Sequence, residues 1–538
     1  MAEARTSRSW YRWLGVTLVA FLAAAMTVLA SGPARAADGD ITIKVHVGGD
    51  RTAATTVSQL AGVEVGLFSG GTPVAEPWAT ATTGADGVAT FTVPADRAGS
   101  RLTMRATAAP NGYGAIGRIY NETYEFQTPV LQAGGSYEQY SLRGRELELA
   151  TLRDNPAMPA KCGLDVALVM DVSGSVSGYE NQLRAAGKAY VDALLGTPSQ
   201  VQLFTFSTKA EVASGLTSVS SQAGADALNA TIGSLTAFGS TNWDDALWTV
   251  AEQSTKFDVA VVVTDGMPNA VEPAVFSANA LKAEGTRVVT MGVGSGVNSP
   301  SAALNLAAIS GPTKYDGSNV VTADYYQTDT YDEVAQALRE MVFASCAPSL
   351  TVVKQVLPDG SDEAAPAGGW AFDATTTSSI TLAPSGTTDA ATGAVNFPVS
   401  FAGAIADAQI TITEQQQPGY TLIQQKGANA VCTAKNTANP LGRPLDVTNV
   451  ADGFTLTMSP GDMVSCTVTS QAPAKGWVPT TPTPTPTDTG TPTASPTPTP
   501  SGPSSPLAST GANVAVVGGI VAVVVIAGLA LTIVARRR

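Results

Sequence analysis

Asp171, Ser173 and Ser175 stand at alternate positions of one short polar stretch, and each carries a side-chain oxygen. Three such groups in a tight loop can converge on one centre. A carboxylate with two hydroxyls, free of nitrogen and sulfur, is the ligand set of a hard cation. The same residue types also suit a helix N-cap and its turn, where Ser and Asp are favoured by local hydrogen bonding. The stretch follows the strand-length run Leu164-Asp165-Val166-Ala167-Leu168-Val169-Met170, and an amphipathic helical pattern runs from 179 to about 195. Strand, polar loop and helix form the opening unit of an open α/β sheet, whose sites lie at the carboxyl ends of the strands.

Asp171-x-Ser173-x-Ser175 resembles the metal-ion-dependent adhesion site of von Willebrand factor type A domains. Two further stretches carry the resemblance. Phe238-Gly239-Ser240-Thr241-Asn242-Trp243-Asp244-Asp245 resembles the family's second loop, with Thr241 at the ligand position. Val259-Ala260-Val261-Val262-Val263-Thr264-Asp265-Gly266 resembles the third, a buried strand ending at Asp265. The resemblance implies that Ser173, Ser175 and Thr241 bind a cation directly and that Asp171 and Asp265 act mostly through water. The ion implied is Mg²⁺, with Mn²⁺ or Ca²⁺ as alternatives, and one coordination position stays open for an acidic side chain of a ligand.

Strands are expected at 164–170, 200–206, 257–263, 287–293 and near 320–327, with helical patterns between them and a last helix over 331–343. Strands alternating with helices imply a doubly wound, Rossmann-like sheet over 162–346. Cys162 and Cys346 bracket this segment. Secretion would permit a disulfide between them, and the ends of such a domain commonly lie close together.

The flanks read differently. Over 39–150 short alternating strands with Gly- and Pro-rich turns point to an all-β module. Its stretch Ala81-Thr82-Thr83-Gly84-Ala85-Asp86-Gly87-Val88-Ala89-Thr90-Phe91 resembles a hairpin of prealbumin-like (Ig-like) stalk modules, with an Asp-Gly turn in which glycine supplies a positive φ. A second β module spans 349–473, where Ile410-Thr411-Ile412-Thr413-Glu414 followed by Pro418-Gly419-Tyr420 resembles the same modules. In that family a strand lysine joins an asparagine of the last strand, assisted by a glutamate. Lys354 and Glu414 match two of these positions, but Ser470 stands where the asparagine is expected and cannot supply an amide, so no such crosslink is expected. Cys432 and Cys466 are expected to staple this module instead.

With 538 residues the chain is too long for one core. Only 14% of it is charged, and the net charge of −14 excludes nucleic acid as a natural partner. The one histidine, His46, lies in the alternating strand pattern Ile41-Thr42-Ile43-Lys44-Val45-His46-Val47. A Ser-His-Asp or Cys-His apparatus is therefore not expected, and no two cysteines have zinc-site spacing. The chain reads as a non-enzyme.

The ends carry address information. Residues 1–36 read as a secretory signal, with Arg5, Arg8 and Arg12 ahead of an apolar stretch and Ala34-Arg35-Ala36 as a cleavage site. Within the linker 476–506 the chain becomes a Thr-Pro tract from Thr480 to Pro506, an extended spacer that at ~3.1 Å per residue could reach roughly 80 Å. Leu507-Ala508-Ser509-Thr510-Gly511, an apolar segment at 514–534 and Arg536-Arg537-Arg538 follow. About twenty apolar residues suffice to span a bilayer. This order resembles a sortase sorting signal within the region 507–538, by which Thr510 would be joined to peptidoglycan and the membrane segment removed. The expectation is a cell-wall-anchored adhesin for an extracellular protein ligand. A pilus-tip or minor pilin subunit, or a structural envelope protein with an unused metal site, are the alternatives.

Overall fold

The computed structural model describes residues 39–69, 76–114, 125–138, 149–268, 274–401, 403 and 407–478. The chain divides into two compact units, Met1–Pro479 and Thr480–Arg538, and every described residue belongs to the first. The signal at 1–36, the sorting motif Leu507–Gly511 and the apolar segment at 514–534 lie outside the described residues. Among the described residues no helix is long and apolar enough to cross a membrane.

The first β module is organised on a long strand, β1 (Ile41–Ala53). Ile41, Ile43, Val45 and Val47 alternate inward along it, as a strand with one face on a core requires. β1 pairs with Val88–Val93 and Thr56–Gln59 antiparallel, and with Ser136–Glu138 and Leu149–Ala150 in parallel. A second sheet, formed by Ala79–Thr82, Glu64–Ser69, Leu102–Ala108 and Glu125–Gln127, closes over the same core. His46 lies within β1, its Nε2 3.7 Å from Glu138 Oε1.

Two expectations for this module need correction. The stretch Ala81–Phe91 does contain the turn, with Gly87 at φ 69°, but it is not a hairpin. Its two strands pair in different sheets, Ala79–Thr82 with Glu64–Ser69 and Val88–Val93 with β1. Thr83 pins the corner by donating to Leu60 O (2.7 Å) while accepting from Val63 N (2.9 Å). The module also runs past 150, because Leu152–Arg153 pairs with Tyr113–Gly114.

The central domain runs β2 (Asp165–Asp171), α1 (Glu180–Leu194), β3 (Gln200–Phe206), α2 (Gln222–Gly233), α3 (Trp243–Ala251), β4 (Val259–Thr264), α4 (Ala274–Ala283), β5 (Arg287–Val293), α5 (Pro300–Ile309), β6 (Tyr325–Thr328) and α6 (Tyr331–Cys346). The parallel strands lie in the order β3-β2-β4-β5-β6, with Ala210–Val212 antiparallel on β3's edge. Helices cover both faces. Val166, Leu168 and Met170 of β2 pack with Leu183, Leu228 and Leu338, while Ala167 and Val169 pack with Leu247, Leu281 and Leu306. Burial on both faces explains why β2 and β4 read as near-continuous apolar runs. The connection from β2 goes to β3 on one side, and the chain then returns to β4 on the other. The crevice between β2 and β4 is therefore the switch point at which open α/β sheets bind ligands.

The second β module packs two sheets about one core. β7 (Ser349–Leu357), β9 (Val431–Asn436) and β10 (Met463–Gln471) belong to one sheet, and β8 (Ala408–Glu414) to the other. Lys354 of β7 is fully buried. Its Nζ donates to Glu414 Oε2 (2.6 Å) and to Ser470 Oγ (2.5 Å), and it lies 4.1 Å from the Trp370 ring centroid. The three residues singled out from the sequence thus meet. Both expected disulfides are present: Cys162–Cys346, and Cys432–Cys466 between directly opposed positions of β9 and β10. The spacer expected from 476 begins later, since Trp477 packs over Gly419 and its N–H donates to Ala474 O.

Both modules grip the central domain by buried polar contacts. Arg51 of β1 donates to Asp244 Oδ2 (2.7 Å) and Ser277 Oγ (3.0 Å) and lies over the Trp248 ring. Asn279 of α4 donates to Gly49 O and Thr151 O and accepts from Arg153 N. From the other side, Lys435 of β9 donates to Asp192 O (2.6 Å) and Leu195 O (3.0 Å), carbonyls at the C-terminal end of α1 that the helix leaves unpaired.

Candidate metal centre

β2 delivers Asp171 to the crest of the sheet, where its side chain is fully buried. Asp171 Oδ1 accepts from Ser173 N (2.9 Å), which curls the chain so that Ser173 and Ser175 follow on one side of the loop. Asp171 Oδ2 accepts from the hydroxyl of Thr264, the last residue of β4, at 2.6 Å. The carboxylate is therefore clamped by its own loop and by the neighbouring strand.

The hydroxyls form a chain. Ser175 Oγ donates to Asp265 Oδ1 (2.6 Å), and Ser173 Oγ lies 3.1 Å from Ser175 Oγ. The second loop is laced to the first, with Gly174 N donating to Gly239 O (2.9 Å) and Phe238 N to Val172 O (2.8 Å). Asn242 then caps α3 by accepting from Asp245 N, which fixes where Thr241 sits. A Cβ on Gly266 would stand 3.4 Å from Ser175 Oγ and 3.7 Å from Thr241 Oγ1. The glycine thus leaves open a small space bounded by oxygens of the first and second loops.

The structure brings together all five residues picked out from the sequence, Asp171, Ser173, Ser175, Thr241 and Asp265, at the β2/β4 switch point. A family model for the von Willebrand factor type A domain matches residues 165–333. This segment is a von Willebrand factor type A domain.

Solved structures similar to the chain include three of low identity. Proximal thread matrix protein 1 from the mussel byssus, with a zinc-occupied MIDAS motif, is 22% identical over 35% of this chain and 47% of that one, at a TM-score of 0.28. The von Willebrand factor type A protein from Catenulispora acidiphila is 14% identical, covering 48% and 63%, at 0.28. The pilus adhesin SpaC from Lactobacillus rhamnosus GG, in its open conformation, is 12% identical, covering 70% and 58%, at 0.28. The chain spans about half the length of the mussel protein. No curated protein matches it.

The electrostatics of the A-domain site are those of a cradle short of positive charge. Burial pushes the Asp171 carboxyl up to about 6, against the hydrogen bonds from Thr264 and Ser173, and the nearby Asp265 charge adds to the rise. Burial also raises Asp265. Among the described residues, no lysine, arginine or histidine pairs with either carboxylate. Nor is there, among them, any cluster of three or more His, Cys, Asp and Glu side chains, as befits a set with two carboxylates and three hydroxyls. An oxygen-only set of this kind, with room above Gly266, fits a hard divalent cation.

Sequence reasoning missed two residues of the A-domain crest. Thr264 sits beside Asp265 in the run Val-Val-Val-Thr-Asp-Gly, where a polar residue at a buried strand end was a usable signal. Tyr331 opens α6 beside the site and carried no signal at all.

Proposed function

We propose that the protein is a cell-surface adhesin whose A domain holds a divalent cation and through it grips an acidic side chain of an extracellular protein. Ser173, Ser175 and Thr241 would hold the ion, with Asp171 and Asp265 acting through water. The ion, Mg²⁺ or alternatively Mn²⁺ or Ca²⁺, supplies a positive centre with one position open to a carboxylate. The observation that carries this reading is the oxygen-bounded space at the switch point, flanked by the buried carboxylate of Asp171 and the half-buried one of Asp265, neither of them paired with a cationic side chain among the described residues.

The chain's own residues do the positioning. Thr264 and Ser173 N fix both oxygens of Asp171, and the Gly174–Gly239 link holds Thr241 in register with Ser173 and Ser175. Exposed Tyr179 and Phe238 flank the loops and offer apolar surface to a partner. No bond is made or broken in this reading, and no catalytic role is proposed. Export through 1–36, the two β modules as prealbumin-like stalk elements and attachment to peptidoglycan through Leu507–Gly511 complete the picture.

The test is titration calorimetry of Mg²⁺ into the purified protein, with Asp171→Ala as control, followed by a screen for extracellular protein ligands in Mg²⁺ and in EDTA. Saturable binding lost in the variant supports the site. Ligand binding that persists unchanged in EDTA defeats it.

A further inference from the structure

Successive residues at the start of α3 are anchored to different parts of the molecule. Asn242 N donates to Ser207 O (3.0 Å) and Asp245 Oδ2 accepts from Ala210 N (2.7 Å), which ties both to the turn after β3. Trp243, 1% exposed, reaches the Thr264 hydroxyl that clamps Asp171. Asp244 between them is anchored from outside the A domain. It is buried, and its ion pair is with Arg51 of the first β module.

Arg51 is aimed by its own hairpin, with Nη2 donating to Ala54 O (2.6 Å) and Nε to Ala53 O (3.2 Å). Nη1 donates to Asp244 Oδ2 (2.7 Å) and Ser277 Oγ (3.0 Å), and Ser277 Oγ donates to Asp244 Oδ1 (2.6 Å). Both carboxylate oxygens are thereby held. The guanidinium also lies 4.4 Å from the Trp248 ring centroid. Asp244 and Trp248 are one helical turn apart on the same face of α3, so one side chain grips the beginning of the helix. Thr241 stands just ahead of the Asn242 cap. A buried carboxylate that loses its cation is costly to keep, and it escapes that cost by moving toward water or taking up a proton. Movement would carry the helix start with it, and so Thr241 and the Trp243 contact to Thr264.

We propose that Arg51 is a positioning residue of the cation site, so that the first β module and the cation are coupled through α3. The module holds the second loop in register for the ion, and the ion in turn tightens the module's grip. The inference rests on the adhesive reading above and names a regulating element of that same site. Arg51 touches neither Asp171 nor the candidate ligand hydroxyls; it acts through Asp244 and the helix start. Coupling of this kind is reciprocal. Whatever draws the first module away from α3 loosens the cation site, and loss of the cation loosens the module.

The test is Mg²⁺ calorimetry on the purified full chain and three variants, each checked for a native near-UV circular dichroism spectrum. Arg51→Met should weaken Mg²⁺ binding about fivefold, the lower end of coupling between linked sites. Arg51→Lys keeps a cation beside Asp244 but loses the planar fork, and should recover part of that loss. Lys435→Met breaks the second module's grip at the C-terminal end of α1, far from the first loop, and should bind as the parent does. Hydrogen exchange of the parent gives a second readout: Mg²⁺ should slow exchange in the Arg51 hairpin, 51–57, as well as in 238–248. Should Arg51→Met fail to fold, the parent's exchange decides. Equal Mg²⁺ affinity in folded Arg51→Met overturns the proposal, as does an equal loss in Lys435→Met or a hairpin whose exchange ignores Mg²⁺. A parent that binds no Mg²⁺ removes the adhesive reading and the coupling together. A parent that binds while Arg51→Met is unchanged removes the coupling alone.

Discussion

Thr264 Oγ1 lies 2.6 Å from Asp171 Oδ2, joining the ends of β4 and β2 directly beneath the candidate cation site. Trp243 Nε1 approaches the same hydroxyl at 3.4 Å, so the second loop's helix is tied to the clamp as well. Groups of this kind orient a ligating carboxylate without touching the ion, and losing them typically costs 10–100-fold in metal affinity. Thr264→Val keeps the shape and removes the hydroxyl. It is expected to lower Mg²⁺ affinity by about tenfold, whereas Asp171→Ala abolishes binding. Calorimetry that finds Thr264→Val equal to the parent would show the clamp to be dispensable.

Cation affinity should depend on pH through Asp171. Its carboxyl is pushed up to about 6 by burial, and a cation binds the deprotonated form. Above pH 6 the site is ready, and below it a proton competes, at about tenfold in affinity per pH unit. The sign for stability without the cation follows from the same shift. Between 3.8 and about 6 the folded state holds this proton more tightly than the unfolded chain, so this group's contribution to stability falls as pH rises through that window. Mg²⁺ titrations at pH 7.5 and pH 5 give the check, and equal affinities at the two values would refute it.

How much of this was legible in the sequence depends on the range of the interactions. β2 and β4 are buried on both faces, so their apolar runs announced a parallel sheet, and Asp-x-Ser-x-Ser kept its meaning because all three residues share one loop. Thr264 carried a signal, a polar residue at a buried strand end, but a threonine closing a valine run also reads as one more β-branched core residue, and that reading passed over its hydroxyl. The corner at Ala81–Phe91 was read as a hairpin because alternation shows which face a residue takes, not which sheet its strand joins. Tyr331 gave no warning because helix starts tolerate tyrosine, and its unpartnered hydroxyl exists only once α6 has docked beside Asp265.

The grip between the first β module and the A domain was likewise invisible, its partners Arg51 and Asp244 being 193 positions apart. Their side chains are 14% and 9% exposed. Breaking a buried pair by removing one member typically costs roughly 3 kcal/mol. Arg51→Met should therefore destabilise the protein by about that amount in chemical denaturation, and adding Asp244→Met should recover much of it. A single variant that costs under about 0.5 kcal/mol, the range of ordinary surface changes, would mean that the grip is not a structural one.

The last prediction concerns Lys354, Glu414 and Ser470. Burial lowers the Lys354 pKa against the opposing pull of Glu414, and the amine lies against Ser470 Oγ rather than an amide. An intramolecular amide needs a carboxamide carbon at that point, attacked by the uncharged amine, with ammonia leaving and the carboxylate relaying the proton. Serine offers no such carbon, so the mass of the purified protein should show no loss of ammonia. Ser470→Asn restores the missing group in the same buried setting. That variant should be lighter than its sequence by one ammonia, and Glu414→Ala in the same background should restore the full mass. If Ser470→Asn keeps its full mass while remaining folded, the geometry at Lys354 holds an ion pair and nothing more.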